Sequence, residues 1–322
     1  MREFGVLYPR VGRNRDAHHQ LAQQLRNGTF ESFDRITAAT ADHPDRHVVI
    51  SGEGISLLCE QEISEIRART APHHVLILLY IRDLAGWLPS RYNQFTWKGI
   101  NLLNFDEYYK QRNLSNGFRI VSSAEHWARC FGWENIRVRS LDKRSLAGGT
   151  LIDDFLSVFG LSLADFGGAE AAGLEPQNVS LGWKALEVLR AQFGELARHP
   201  ENLETRRGLP RIKRRFTSAL RDGVVDVMAQ LDLASQRTQY LSARQWSECN
   251  EVYGLEVEKL NQKLIGPKIP LPDPNVITER PFLPTLQQIP ADERREIAAR
   301  LGPGSGRRRL PPEIVEQARM AL

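Results

Sequence analysis

The chain has 322 residues, of which 41% are hydrophobic and 25% charged, and a formal net charge of +4. That is ordinary globular composition, with enough apolar residues for one large α/β domain or two smaller ones. The slight basic surplus is compatible with an anionic ligand but too weak to argue for nucleic acid, and no run approaches the ~18 apolar residues of a membrane span.

The N-terminal "MREFGVLYPRVGRNRD" has charges where a signal peptide needs an apolar stretch. Three cysteines, Cys59, Cys130 and Cys249, are far apart and have neither CxxC nor Cys/His metal spacing. They read as reduced core thiols of a cytoplasmic protein without a metal site.

In chain order, "FGVLYP" is a short apolar piece. "DAHHQLAQQLRNG" follows as a helix that Asp16 can cap and Gly28 can end. "RHVVISGEG" (46–54) reads as a buried strand entering a Gly-rich turn, and "ISLLCEQEISEIRART" as a helix. "HHVLILLYIRD" is the strongest strand. Its continuous apolar run predicts burial on both faces, as in a parallel sheet. Residues 85–97 and "NFDEYYKQR" are helical, as is "AEHWARCFG", which Gly132 ends. "ENIRVRSLD" is a third strand and "LIDDFLSVFG" another helix. Strands alternating with helices over 46–160 predict an open parallel sheet with helices on both faces. Residues 180–260 read as all helical. From 266 onward the sequence is proline-rich, with a short helix at 290–301 and a flexible "GPGSGRRRLPPE". The division this gives is an α/β domain over 1–265, helical over 180–265, and an extension over 266–322.

Ligands of open parallel sheets bind at the carboxyl ends of the strands. Arg82 stands at such an end, and Ser90 lies eight residues on, in the next helix. Guanidinium, hydroxyl and helix N-terminus together suit a phosphate. The alternative is that Arg82 pairs with Asp83 or a loop acid, and that Ser90 is solvated.

The stretch "YIRDLAGWLPSRYNQFTWKG" resembles the 3′-phosphate-binding segment of sulfotransferases that use 3′-phosphoadenosine-5′-phosphosulfate (PAPS). In that family an Arg ends a strand and a Ser eight residues later lies in the next helix; Arg82 and Ser90 match that pattern. The wording is most similar to the bacterial branch that modifies carbohydrates and surface polysaccharides. "GVLYPRVGRNRDAHHQLAQQL", "VVISGEGIS", "ENIRVRSLDKRSLAGGTLIDDFLSVFGL", "NVSLGWKALEVLR" and "NEVYG" resemble further blocks of it in the same order, over roughly residues 3–265.

The resemblance implies an α/β three-layer sandwich with a parallel sheet, of the P-loop type, and a helical C-terminal half. It implies PAPS as sulfate donor and a carbohydrate or glycolipid hydroxyl as acceptor. A nucleic-acid partner for the 206–216 run is disfavoured, since no helix-turn-helix or zinc motif stands out and the charge is not concentrated. Members open with a strand, a Lys/Gly/Thr phosphate loop and a helix; no GxxxxGK[ST] string occurs in the 322 residues. The expectation is a reading that starts downstream of that loop, with a central strand missing. The alternative is a truncated or degenerate, non-catalytic relative that binds a nucleotide or a partner.

Sulfuryl transfer needs a base at the acceptor oxygen and positive charge at the leaving phosphate. By comparison with the strand-end histidine of the family's cytosolic branch, Glu53 is the base candidate, with Ser51 beside it; capping a helix near Ile55 is its other reading. His18 and His19 are candidates to face the acceptor, or are solvated surface residues. His73 and His74 read as loop residues. Trp87, Tyr92, Phe95 and Trp97 surround Ser90 and either stack on a ligand ring or pack on the sheet. Lys98 either reaches an anion or is solvated. The basic run 206–216 contacts an acidic polysaccharide or lipid head group, or is a solvated loop.

Overall fold

The computed structural model describes residues 4–14, 17–41, 43–112, 120–168, 181–206, 209–214, 216–217, 239–272, 284–301 and 311–321. In chain order the elements begin with β1 (Val6–Leu7), α1 (His19–Arg26), α2 (Glu31–Ala41), β2 (His47–Val48), α3 (Glu60–Arg69) and β3 (Ile77–Ile81). They continue with α4 (Leu84–Trp97), α5 (Phe105–Lys110), α6 (Ile120–Phe131), β4 (Ile136–Ser140) and α7 (Leu151–Ser157). Then come α8 (Trp183–Ala197), β5 (Leu203–Arg206), β6 (Leu209–Ile212), α9 (Ala243–Lys263), α10 (Ala291–Leu301) and α11 (Pro312–Arg319). The fold is mixed α/β and mostly helical, with short parallel strand pairs.

The chain divides into two compact units. The first comprises residues 1–82, 118–151 and 254–271, and the second 83–117, 152–253 and 272–322. In the first unit β1 pairs with β2 in parallel, Val6 opposite His47. β3 pairs with β4 in parallel, Ile77 opposite Ile136 and Ile81 opposite Ser140. Among the described residues no ladder joins the two pairs. β1 stops because the chain reaches Pro9, which has no N–H for the ladder. β2 accordingly ends at Val48, before the Gly-rich turn within 46–54, and it is not the buried strand expected: His47 is exposed and Val48 half-exposed.

β4 alternates, with Ile136, Val138 and Ser140 buried and Arg137 and Arg139 half-exposed. α6 covers this ladder and packs on α3. β3 has only Ile81 buried, its other residues being half-exposed. The burial on both faces expected of its apolar run is therefore incomplete, since β3 has one strand neighbour among the described residues. α3 carries Glu60 and Glu62 in its first turn and Arg67 and Arg69 in its last, the charge order that its dipole favours. Arg69 stacks over Phe30 at 4.2 Å and pairs with Asp34 of α2 at 2.9 Å. α1 ends at Arg26, just before Gly28 at φ +70°, as its sequence implies. Asp16, its expected cap, lies outside the described residues.

The second unit is built around α8, which packs on α4, α10 and α11. Tyr92 of α4 is fully buried, edge-on to Phe105 and Tyr108 of α5 at 5.2 and 5.4 Å. Residues 203–212 correct the all-helical expectation for 180–260. Within them Leu203–Arg206 and Leu209–Ile212 pair antiparallel, with Leu203 opposite Ile212. Pro210 disfavours a helix there. The strand pair takes up much of the basic run read as a loop. The expected helix "FTSALRDGVVDVMAQL" falls largely outside the described residues. The predicted helix at 290–301 is α10, and α11 follows it. Among the described residues no helix is long and apolar enough to cross a membrane.

Candidate functional site

The carboxyl ends of β1 and β2 are fastened by one histidine. His18 has no solvent-exposed surface. Its Nε2–H donates to the Pro9 carbonyl at 3.0 Å, and its Nδ1 accepts the Ser51 N–H at 3.2 Å. The Tyr8 ring meets it edge-on at 4.8 Å, with Arg13 over Tyr8 at 4.6 Å. Burial is the main cause holding the imidazole below its usual 6.5, against the opposing hydrogen bonds to Ser51 and Pro9. His18 is thus a neutral strut whose two nitrogens are committed. His19, on α1, is exposed.

Ser51 leads through Gly52 to Glu53, the first residue of a 3-10 turn over Glu53–Leu57. Both Ser51 and Glu53 are exposed. Glu53 lies five residues beyond the end of β2, so it stands on a loop rather than at a strand end. Its carbonyl accepts the Ser56 hydroxyl at 2.7 Å. The His18–Ser51 bonds fix the peptide two residues before it.

Arg82 directly follows β3 and is exposed. The last bond of the ladder lies just before it, the Leu141 N–H donating to the Ile81 carbonyl at 2.8 Å. At the end of β4 the buried Ser140 hydroxyl accepts the Asp142 N–H at 3.1 Å. Asp142 pairs with Arg144 at 2.6 Å, and that guanidinium holds its carboxyl below the usual range. Lys143 and Arg144 are both exposed on this turn. The carboxyl end of the β3–β4 ladder therefore carries Arg82, Lys143 and Arg144. The last two were passed over in the sequence, where a basic pair just beyond a predicted strand was the available signal.

Ser90 belongs to the second unit and lies exposed in the second turn of α4. At 1.5 Å per residue it is about 9 Å along the axis from the helix start. That start is already capped, because the Asp83 carboxylate accepts the Gly86 N–H. Ser90 therefore does not stand beside free helix N–H groups, as its spacing suggested. Arg91, which the sequence did not single out, lies over Trp87 at 4.9 Å and Phe95 at 4.4 Å. Arg112 continues this ladder over Phe95 and Tyr108. Trp87 and Phe95 hold a guanidinium between them, and Tyr92 is core.

A buried charge pair underlies α4 and α8. Glu187 is 1% exposed and meets Arg190 at 2.6 Å, while Arg190 also donates to the Leu102 carbonyl at 3.3 Å. Burial pushes the Glu187 carboxyl up despite Arg190. It pushes the Tyr92 hydroxyl up as well, with Glu187 adding to the effect.

A cavity of about 100 Å³ lies at the amino ends of β3 and β4, lined by Arg67, His73, His74 and Phe131. Another of about 380 Å³ lies beside Arg190 and Arg198 in the second unit. Neither includes Glu53, Arg82 or Ser90. Among the described residues no group of three or more His, Cys, Asp or Glu side chains could hold a metal. The cysteines are not uniformly core thiols: Cys249 is buried, Cys130 half-buried and Cys59 exposed. No family model, curated protein or solved structure matches this chain.

Proposed function

We propose that the protein is a PAPS-dependent sulfotransferase of P-loop-type three-layer architecture that transfers sulfate to a hydroxyl of a carbohydrate or glycolipid. The observation that carries the reading is the order strand, Arg, helix, Ser. Arg82 directly follows the parallel strand β3, and Ser90 is exposed on the helix that begins at Leu84. Both are assigned to the 3′-phosphate of the donor. A guanidinium binds phosphate through two parallel N–H bonds, and a hydroxyl adds a third donor. Lys143 adds positive charge at the end of the same ladder as Arg82, while Arg144 is paired with Asp142.

Glu53 is assigned as the base that takes the proton of the acceptor hydroxyl as its oxygen attacks sulfur and the adenosine bisphosphate leaves. Its exposed position beyond the peptide fixed by His18 supports access to an acceptor. His19 is assigned to the acceptor side. His18 is the second candidate there, although its ring already serves Pro9 and Ser51. The proposal sets the protein in the cytoplasm.

The test is calorimetric titration of the full chain with adenosine 3′,5′-bisphosphate, beside Arg82→Ala. The expected result is binding that weakens more than tenfold in the variant, equivalent to about 1.4 kcal/mol. No binding by a well-folded chain overturns the proposal. Binding without sulfate transfer from PAPS to any carbohydrate acceptor overturns the catalytic part and leaves a nucleotide-binding relative.

A further inference from the structure

Two of the three cysteines converge on the start of α3 in the first unit. Cys59 is the exposed residue from which α3 begins, and its N–H donates to the Glu62 carboxylate at 2.7 Å. Cys130 is half-buried in the last turn of α6, which packs along α3. The Cys130 sulfur lies 3.9 Å from the carbonyl oxygen of Glu60. Covalent geometry keeps that carbonyl within about 6 Å of the Cys59 Cα. Arg129, beside Cys130, pairs with the Glu60 carboxylate at 2.8 Å and holds the two helices together at this point. The Ser123 hydroxyl, earlier in α6, donates to the Ser56 carbonyl at 3.2 Å, so the segment before α3 is held to the same helix.

We propose that Cys59 and Cys130 are a redox pair that closes to an intramolecular disulfide when the protein meets a hydroperoxide. The exposed Cys59 reacts first. Its sulfur attacks the peroxide, the O–O bond breaks, and the products are Cys59 sulfenic acid and one molecule of water or alcohol. The Cys130 sulfur then attacks the Cys59 sulfur, an S–S bond forms, the S–O bond breaks, and a second water leaves. The two thiols lose two electrons, which reduce the peroxide, and their two protons end in the released molecules. Burial, with the Glu60 charge adding, pushes the Cys130 thiol up. That leaves it the poorer of the two thiols for the first encounter with peroxide. The bond would staple the start of α3 to the end of α6. Closing the bond takes the Cys59 sulfur off the Glu62 N–H, where it caps α3. A thiol reductant reverses the reaction.

The experiment treats the full chain at low micromolar concentration with hydrogen peroxide, blocks remaining thiols with an alkylating agent, and maps a non-reducing digest by mass spectrometry. The expected product is a Cys59–Cys130 cross-linked peptide, lost on reduction, formed equally well in Cys249→Ser and absent in Cys130→Ser. In Cys130→Ser the Cys59 sulfenic acid should persist and be trapped by a dimedone-type reagent. Independent alkylation of both cysteines after peroxide overturns the proposal. So does a cross-link found only between chains, or over-oxidation of Cys59 in the unsubstituted protein without a cross-link. Circular dichroism of each variant confirms that it is folded before the comparison is made.

Discussion

His18 and Ser51 bond to each other twice. The Ser51 N–H donates to the His18 ring at 3.2 Å, and the His18 backbone N–H donates to the Ser51 carbonyl at 2.7 Å. With Pro9 held by the other ring nitrogen, one side chain ties together the ends of β1 and β2. The buried ring disfavours the charged form, so its pKa in the folded chain lies below 6.5. At pH values between the two, the unfolded chain binds a proton that the folded chain does not, and stability rises with pH. It is fully present above about 6.5 and falls as pH drops toward the folded value, by at most about 1.4 kcal/mol per pH unit. Urea midpoints measured from pH 8 to 5 should decline in the unsubstituted protein and decline less in His18→Gln. Equal slopes would show that His18 is not buried in its neutral form.

Arg190 and Glu187 make the opposite kind of pair, an ionic one under cover. Glu187 is 1% exposed, and its partner is three residues along the same helix. Removing one member strands the other. Arg190→Ala should cost about 3–5 kcal/mol, because a buried carboxylate then loses its compensating charge. Replacing both by apolar residues of similar volume should cost far less. Thermal unfolding of the single and double variants measures this, and an unchanged melting temperature in Arg190→Ala would remove the pair from the core's energetics.

Gly12 tests packing at the first unit's N-terminal turn. Its φ is +73°, and a Cβ there would approach the Leu21 Cβ to 2.7 Å. Gly12→Ala should therefore destabilise through both the left-handed backbone and the clash, by about 2 kcal/mol. Denaturant titration should reveal this without a change in m-value. A stability equal to that of the unsubstituted chain would mean the turn rearranges freely.

What was legible in the sequence follows physical strength. β3 and β4 were readable because Ile77–Ile81 and Ile136–Ser140 are apolar or alternate with period two, and α6 because its apolar residues recur on one face. The end of β2 was not legible, since it depends on Pro9, a residue just beyond its partner strand that no local pattern includes. The strand pair within 203–212 was read as helix and loop because its strands are only four residues long and carry charges. At the candidate site, the strand-end position of Arg82 was legible. The burial of His18 was not, because the groups that satisfy its ring come from Pro9 and Ser51, and the latter is 33 residues away. Arg91 was invisible beside Ser90 because a lone arginine looks solvated until its aromatic neighbours are folded around it.

Glu53 and its neighbourhood separate binding from chemistry. Under the proposed reaction, Glu53→Gln keeps the size of the side chain but cannot accept the acceptor's proton. Turnover should fall by two to four orders of magnitude, the usual range for a general base (about 10²–10⁴). Affinity for adenosine 3′,5′-bisphosphate, measured by calorimetry, should stay unchanged. Turnover equal to that of the unsubstituted protein would dismiss Glu53 from the proposed mechanism.

Ser90 and Arg91 are adjacent on α4 and should respond in opposite ways. Ser90 is exposed, and its assigned role is one hydrogen bond to a phosphate. Ser90→Ala should leave the unfolding free energy within about 0.5 kcal/mol of its original value. It should weaken adenosine 3′,5′-bisphosphate binding by roughly tenfold, in keeping with about 1.5 kcal/mol for a hydrogen bond to a charged group. Arg91 lies over Trp87 and Phe95, so Arg91→Ala removes both cation–ring attraction and the packing of its stem. It should lower stability by about 1–2 kcal/mol. Arg91→Lys should recover only part of that loss, since an ammonium cannot stack its plane on two rings. Calorimetry and denaturant titration on the same three variants provide the comparison. If Ser90→Ala lowers stability and leaves binding unchanged, the hydroxyl belongs to the helix surface, and the assignment of the 3′-phosphate to Ser90 fails.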